Sequence, residues 1–290
     1  MINKESRINV LDIPIDRVGF FDALKKIDEL VANGGPHQIA TVNPEFIIHS
    51  TQDKDFKEAL QNSSLNTADG IGIIWAAKFL AKTEKFANSA DKRGLKISNI
   101  YYLISRIFWL KITLLAILFN RKWLSSEIPE RVTGIDLMWE LANRAQEKEW
   151  KVYLLAWNKG RAKAEKVAEK LKTLYPRINV VGTHNGYPEE EGIVNEIAKT
   201  KPDILFVAFG SPKQEIFIHR NLKDFNAKVV IGVGGSFDFV VGKAKRAPKI
   251  FQKLGIEWIW RLLMRPTPKR AGRIFNAFPR FVSKVFHKNS

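Results

Sequence analysis

Short apolar segments alternate with amphipathic helical segments along the second half of the chain. The predicted strands are residues 151–156, 178–182, 204–209 and 229–233, and the predicted helices are residues 134–148, 160–174, 189–199 and 212–221. Strands that alternate with helices of this length form right-handed βαβ units, because only that crossover packs the helix back onto a twisted sheet. The sequence therefore predicts an α/β fold, in which a Rossmann-like parallel sheet carries helices on both faces.

The first part of the chain, about residues 8–82, continues the same pattern. Residues 38–42 are a predicted strand, and Asn43-Pro44 predicts the start of a helix that continues through Phe56 and Leu60. A second short strand, residues 64–68, leads through Asp69-Gly70 into a predicted helix over residues 71–81. We therefore assign residues 1–241 to one α/β domain.

Residues 83–127 interrupt this domain. Residues 100–119 are mostly apolar and are long enough to cross a bilayer once, yet they include Arg106 and Lys111. A cation in the middle of a membrane costs about 2.5–3.5 kcal/mol on insertion scales. A narrow polar stripe follows the helical repeat at Ser98, Tyr102, Ser105, Arg106, Trp109 and Thr113. We interpret the segment as an amphipathic helix in a membrane interface; a spanning or re-entrant helix and a helix packed on the body remain the alternatives.

The net charge of +17 is concentrated in two segments. Residues 241–290 carry a net charge of +12 and residues 82–125 carry +7, so the other 196 residues sum to −2. The two basic segments also contain Trp109, Trp123, Trp258 and Trp260 among long aliphatic runs. This combination favours an anionic membrane surface over nucleic acid, and the sequence contains no RRM, KH or helix-turn-helix signature.

The last fifty residues form a predicted basic appendage, residues 242–290. Ile250, Leu254, Trp258 and Leu262 recur at helical spacing, and Pro266, Pro268 and Pro279 are expected to divide the segment into at least two helices. We expect the rest of the chain to fold without it. The first twelve residues are too polar for a signal peptide, and the chain has no cysteine, which excludes disulfides and thiolate chemistry.

Ligands of open parallel sheets bind beyond the carboxyl ends of the strands, where loops present backbone amides and helix N-termini. The residues found at such ends are Thr41 and Asn43, Asp69, the group Gly210, Lys213 and Gln214, and the group Gly234, Gly235 and Asp238. Each also has a structural interpretation: Asp69 and Asp238 could cap turns, and Lys213 could be a solvated surface residue.

The sequence disfavours a nicotinamide-dependent oxidoreductase and a metal site. Gly234-Gly235 does not complete a dinucleotide fingerprint, because Phe237 stands at the third glycine position, and this argues against a nicotinamide-dependent oxidoreductase. His37 and His184 lack a cysteine or a second histidine at ligand spacing, so we predict no metal site.

Six motifs occur together and in order. They are Thr41-Val42-Asn43-Pro44-Glu45, Ala68-Asp69-Gly70-Ile71-Gly72, Glu130-Arg131-Val132-Thr133-Gly134, Gly210-Ser211-Pro212-Lys213-Gln214-Glu215, Gly232-Val233-Gly234-Gly235-Ser236-Phe237-Asp238 and Arg246-Ala247-Pro248. With these motifs the chain closely resembles the WecG/TagA/CpsF family of bacterial glycosyltransferases over roughly residues 8–82 and 128–275.

The resemblance implies a metal-independent, inverting transferase without a cofactor. Its expected reaction moves N-acetylmannosamine, or its uronic acid, from a UDP donor to undecaprenyl-diphosphate-N-acetylglucosamine in cell-surface polysaccharide synthesis. The enzyme would act as a peripheral protein at the cytoplasmic face of the plasma membrane, with a homo-oligomer left open. The uronic acid and the pathway remain open alternatives.

The resemblance also assigns roles to residues. Asp69 matches the catalytic base, Thr41, Asn43 and Gln214 match pocket residues, and Arg261 matches the first tail arginine that holds the acceptor diphosphate. We group Thr41 and Asn43 with Asp69 as the three predicted catalytic residues. We expect the backbone amides of residues 234–236 and the helix start at Pro212 to face the phosphates of the departing UDP, and Lys213 or Arg131 to add positive charge. We include Arg246 of the last motif among the substrate-binding residues.

The chain departs from the family pattern at two places. Residues 83–127 resemble an insertion, and in the tail Arg265-Pro266 replaces the usual Glu-Pro while Pro268 stands where the next arginine is expected. We assign that arginine's role to Arg270 and Arg273.

Overall fold

The computed structural model describes residues 6–91, 99–253, 255–264, 266 and 268–288. Its strands are β1 Arg7–Val10, β2 Ile13–Asp16, β3 His37–Val42, β4 Leu65–Ala68, β5 Lys151–Trp157, β6 Asn179–Gly186, β7 Ile204–Ala208 and β8 Val229–Gly232. Strands β3 to β8 form one sheet in the order β4-β3-β8-β7-β5-β6, and every neighbouring pair is parallel. The predicted parallel sheet is confirmed.

Helices cover both faces of the sheet. They are α1 Phe20–Asn33, α2 Pro44–Ser50, α3 Lys54–Gln61, α4 Ile71–Asp91, α5 Asn99–Phe119, α6 Arg121–Leu124, α7 Gly134–Glu147, α8 Ala164–Leu174, α9 Ile193–Thr200, α10 Lys213–Asn221, α11 Ser236–Val240, α12 Lys249–Lys253, α13 Glu257–Met264 and α14 Pro268–Phe286. The side chains of β7 and β8 are buried almost without exception, as is typical of strands covered on both sides. Phe206 and Ile231 pack with α1, α7 and α8, whereas Leu205 and Val230 pack with α9 and α10.

Three elements differ from the sequence prediction. The helix expected from Asn43 through Leu60 is two helices, because Asp53 caps a new one by accepting a hydrogen bond from the Phe56 amide at 3.0 Å. Helix α4 extends ten residues beyond the predicted end at Ala81. The antiparallel hairpin of β1 and β2, which we did not predict, joins the body where the buried Asp16 accepts from the Asn66 amide at 2.8 Å.

Helix α5 lies on the body with its polar stripe facing inward. Ser105, Arg106 and Thr113 are buried, and the Trp75 indole Nε1 donates to Thr113 Oγ1 at 3.0 Å. Of the described residues, only this helix is long and apolar enough to cross a membrane by length and composition, and 22% of its most apolar stretch is buried. The side of α5 that remains exposed is therefore the apolar one.

The C-terminal region is packed into the body. Phe281 and Val285 of α14 are fully buried, and the Phe281 ring meets the Trp75 ring edge-on at 6.1 Å between centroids. Pro268 begins α14, but Pro279 lies inside this helix and does not end it as we expected. The expectation that the body folds without residues 242–290 conflicts with this packing, because their removal would uncover part of a hydrophobic core.

Candidate active site

The loops after β3 and β4 meet at the carboxyl edge of the sheet. Asn43 caps α2, since its Oδ1 accepts hydrogen bonds from the Glu45 and Phe46 amides at 2.9 and 3.1 Å. The Asp69 amide donates to the Val42 carbonyl at 2.7 Å. This hydrogen bond places Asp69 beside the turn that holds Asn43, so two of the three predicted catalytic residues are brought together.

Glycines allow these two loops to approach. Gly70 has φ of +141°, and a Cβ on Gly72 would lie 2.7 Å from Pro44 Cγ. A side chain at Gly72 would push the Asp69 loop away from Pro44, and a side chain at Gly70 would strain the backbone at its positive φ. The glycines of the Ala-Asp-Gly-Ile-Gly motif are thus explained by close packing around Asp69.

The start of α7 reaches the same edge. Thr133 caps this helix, and the Val132 amide donates to the Ala68 carbonyl at 2.9 Å. A Cβ on Gly134 would lie 3.2 Å from Oγ1 of Thr41, the third predicted catalytic residue, and 3.9 Å from Oγ of Ser236. The Arg-Val-Thr-Gly motif therefore joins the end of β3 to the start of α11.

Gln214 joins the loops after β7 and β8. Its buried side chain accepts hydrogen bonds at Oε1 from the Gly210 amide at 3.0 Å and from the Gly234 amide at 3.1 Å. Gly210 and Gly234 have φ of +81° and +48°, which glycine adopts without strain. The Ser236 amide donates to the Val233 carbonyl at 3.0 Å. The amides of Gly234 and Ser236, expected to face a phosphate, are hence engaged within the protein.

Glu215, the last residue of the Gly-Ser-Pro-Lys-Gln-Glu motif, also belongs to this site, although we did not predict a functional role for it. Its side chain is buried, and Oε1 accepts from Gln214 Nε2 at 2.6 Å. Burial raises the pKa of Glu215 to about 8, although hydrogen bonds from Gln214, its own amide and Ser211 act in the opposite direction. Glu215 fixes the orientation of the Gln214 amide. A carboxylate next to glutamine, directly after a buried strand, is the signal that could have identified it.

The raised pKa of Glu215 predicts how the free energy of unfolding depends on pH. A carboxyl group that binds its proton more tightly in the folded state lowers the free energy of unfolding as pH rises from about 4.5, its unfolded value, to about 8. Glu215→Gln keeps the Oε1 acceptor and removes the titration. We expect its free energy of unfolding, minus that of the wild type, to increase over this window and to level off above it.

Urea unfolding at several pH values measures this difference. The control is Glu84→Gln, a change at an exposed glutamate of α4, and the difference for Glu215→Gln should change more with pH than the difference for this control. No larger change for Glu215→Gln than for Glu84→Gln would contradict the raised pKa of Glu215.

The two predicted binding arginines near α7 have acidic partners. Arg246 forms a bidentate pair with Asp136, at 2.6 and 2.8 Å, and Arg131 lies 3.3 Å from the buried carboxylate of Glu257. Burial opposes the ionisation of Asp136, but hydrogen bonds from Arg246 and Thr133 outweigh it and lower the pKa of Asp136. This ionic network ties α13 to the sheet edge. Substrate binding by Arg131 and Arg246 stays a prediction.

Other predicted residues lie farther out along the edge. Asp238 pairs with Arg161 at 3.2 Å, and Lys213 Nζ lies 5.9 Å from the centre of the Trp157 ring. Gly235 precedes α11 as its N-cap residue. Arg261 lies on α13 and Arg270 and Arg273 on α14, but their side chains are outside the described part of the structure.

Within the described ranges, no group of three or more His, Asp or Glu side chains is placed to hold a metal ion. Metal independence stays a prediction.

Comparison with known proteins decides the family. The sequence model described as "Glycosyl transferase WecG/TagA/CpsF family" matches residues 8–90 and 116–290, well over half of the chain. The chain belongs to this family. It is a glycosyltransferase, and the resemblance seen in the six motifs is confirmed.

Several bacterial relatives carry the same name, N-acetylglucosaminyldiphosphoundecaprenol N-acetyl-beta-D-mannosaminyltransferase. The protein of Staphylococcus aureus strain MRSA252 is 30% identical over 284 residues, which cover 97% of this chain and 92% of the relative. That of Bacillus subtilis strain 168 is 29% identical over 261 residues, covering 89% and 82%. The family model leaves residues 91–115 unmatched and includes the C-terminal region. The unmatched residues fall within the expected insertion, and most of them belong to α5.

Proposed function

We propose that this glycosyltransferase moves N-acetylmannosamine from a UDP donor to undecaprenyl-diphosphate-linked N-acetylglucosamine, with inversion at the anomeric carbon. The observation that carries the proposal is the near full-length match to the S. aureus relative, whose name specifies this sugar and this acceptor. The sheet edge that assembles Thr41, Asn43 and Asp69 supports it, because ligands of this fold bind there.

Asp69 is proposed as the general base. Inverting transfer requires a group that removes the proton of the acceptor hydroxyl while its oxygen attacks the anomeric carbon. A carboxylate suits this role, and Asp69 lies beside the Asn43 turn, where Asn43 uses Oδ1 to cap α2. In our proposal, Nδ2 of Asn43 donates to a sugar hydroxyl.

The leaving nucleotide develops negative charge as the glycosidic bond breaks. The Arg246 side chain pairs with Asp136 in the first turn of α7. The dipole of this helix also favours an anion at that end. In our proposal the diphosphate replaces the carboxylates of Asp136 and Glu257 as a partner of Arg246 and Arg131, so that these cations stabilise the departing group without a metal. Lys213 adds charge at the outer end of the site.

The proposed acceptor places the reaction at a membrane. Undecaprenol is a long lipid, whereas a nucleotide sugar is soluble in water, so the enzyme must work where both meet. We propose the cytoplasmic face of the bacterial plasma membrane. The basic charge of residues 82–125 and 241–290 supports this location, since each cation near an anionic leaflet contributes about 1 kcal/mol.

A panel of donors tests the proposal. The full chain is incubated with a polyprenyl-diphosphate-N-acetylglucosamine acceptor and with UDP-N-acetylmannosamine, UDP-N-acetylmannosaminuronic acid, UDP-N-acetylglucosamine or UDP-glucose, and with and without EDTA. Mass spectrometry identifies the product, and NMR gives its anomeric configuration. We expect one added N-acetylmannosamine in the β configuration, formed equally with EDTA. Transfer of another sugar only, retention of configuration, or a requirement for metal would each contradict the corresponding part of the proposal.

A further inference from the structure

Helix α5 exposes an apolar face along its whole length. Ten large apolar side chains form this face, which we call the α5 face: Ile100, Tyr101, Leu103, Ile104, Ile107, Phe108, Ile112, Leu115, Leu118 and Phe119. An exposed apolar surface of this extent marks an interaction site, since scattered single residues are the norm elsewhere on a protein surface. The family model does not include residues 91–115, so most of the α5 face belongs to this chain's own insertion.

The orientation of α5 is fixed by contacts on its other side. Arg106 is buried and donates to the Tyr102 hydroxyl at 2.8 Å and to the Val285 carbonyl of α14 at 2.9 Å. Its guanidinium also lies 5.2 Å from the centre of the Phe79 ring of α4. Turning the apolar side inward would break these hydrogen bonds and leave a buried cation without partners. The α5 face is therefore held outward by the fold.

Charge around the α5 face indicates what it meets. Residues 99–124 contain three Lys or Arg residues besides the buried Arg106, residues 268–286 contain five, and neither range contains Asp or Glu. An anionic lipid surface complements this charge. A second copy of the chain docked by the same face would bring two basic surfaces together, which costs energy through like-charge repulsion.

Two tryptophans, Trp109 and Trp123, lie beside the α5 face and are partly buried against the body. The rings of Trp109 and Trp123 stack at 6.5 Å, and Lys82 Nζ lies 5.2 Å and 5.4 Å from their centres. Tryptophan beside lysine is enriched at the headgroup level of bilayers. Lys111 is exposed near the middle of α5, where a spanning helix would hold it in hydrocarbon, but where an interfacial helix lets its ammonium reach the headgroups.

We propose that the α5 face docks side-on into the boundary between headgroups and acyl chains of an anionic bilayer, without crossing it. The packing of Arg106 and Thr113 keeps one side of α5 on the protein, and the ten apolar residues enter the lipid on the other. The insertion thus supplies the enzyme with a membrane contact of its own. This inference needs no donor or acceptor, so its test is separate from that of the transfer reaction.

A matched pair of double variants tests the lipid contact. Phe108→Gln with Leu115→Gln removes two residues of the α5 face, each 54% exposed. Phe21→Gln with Leu174→Gln is the control, because these residues are 77% and 47% exposed on α1 and α8, outside the α5 face. Sedimentation with vesicles of phosphatidylglycerol and phosphatidylcholine gives the partition coefficient. We expect it to fall at least about tenfold for the first pair and to stay within twofold for the control.

Two further measurements keep the inference falsifiable. Circular dichroism and the midpoint of urea unfolding should be unchanged in the first pair, so that weaker vesicle binding is not a folding defect. Because the chain has no cysteine, the single variants Asn99→Cys and Asn120→Cys report the two ends of α5. In our proposal, an impermeant maleimide added outside preformed vesicles labels both ends.

Three outcomes would overturn the inference. One is equal vesicle binding by the two double variants. Another is a wild-type oligomer that the Phe108→Gln, Leu115→Gln pair dissociates while vesicle binding is kept, which would assign the face to a second copy. The third is protection of one cysteine only, which would show that α5 spans the bilayer.

Discussion

Asp69→Asn should lower kcat on the lipid-linked acceptor by about 10²–10⁴-fold, which is the usual contribution of a general base. Asparagine has nearly the same shape, and the hydrogen bond from the residue 69 backbone amide to the Val42 carbonyl is kept. The amide side chain cannot take up the acceptor proton. Because the defect lies in the chemical step, we expect KM for the donor to change little.

The matched control for this change is Asp224→Asn. Asp224 is exposed in the turn after α10, away from the strand ends that carry Asp69. Steady-state assays of both variants, with circular dichroism as the check on folding, make the comparison. If folded Asp69→Asn turns over at a rate near that of the wild type, another group removes the proton and the role of Asp69 is structural, as a turn residue.

The strands of the sheet could be predicted from the sequence because each has a recognisable local pattern of apolar residues. Residues 204–209 and 229–233 are continuous apolar runs between polar turns, and strands buried on both faces require such runs. The order of the strands could not be predicted in the same way. The adjacency of β3 and β8 joins residues nearly two hundred positions apart, and no local pattern encodes that pairing.

The candidate site was predictable in position but not in its internal bonds. Because the sheet is parallel, the loops that carry Asn43, Asp69 and Gly234 had to meet at one edge. Which side chains pair there depends on distances that only the folded chain sets. Thus Gln214 accepts a hydrogen bond from the Gly234 amide, and Arg246 donates to Asp136. The sequence suggested that these residues contact the substrate.

Helical periodicity identified the polar stripe of α5 but could not say what the stripe faces. A stripe that contains Arg106 and Thr113 could face water. It could equally face a neighbouring helix that supplies hydrogen-bond acceptors, such as the Val285 carbonyl. The second arrangement needs α14, whose position follows from tertiary packing. For the same reason the sequence suggested a separable basic appendage, although its amphipathic helix completes the core.

Phe281→Ala should lower the free energy of unfolding by about 3–5 kcal/mol, the usual cost of truncating a fully buried phenylalanine. The Phe281 ring lies against Trp75, which stacks on Phe79 at 5.6 Å, so the cavity would open in the cluster that joins α4 to α14. These aromatic rings cannot close the gap without losing their mutual contacts. Urea unfolding followed by tryptophan fluorescence gives the value.

Phe278→Ala is the control within the same helix. Phe278 lies three residues earlier and is 36% exposed, so its truncation removes fewer contacts and leaves no closed cavity. We expect a cost of about 1 kcal/mol or less. Equal small costs for both variants would mean that α14 is detachable from the body in solution, as the sequence suggested. A large cost for Phe281→Ala alone would instead mean that the basic C-terminal region cannot leave the sheet domain without unfolding part of it, so that any membrane contact made by α14 positions the active site directly.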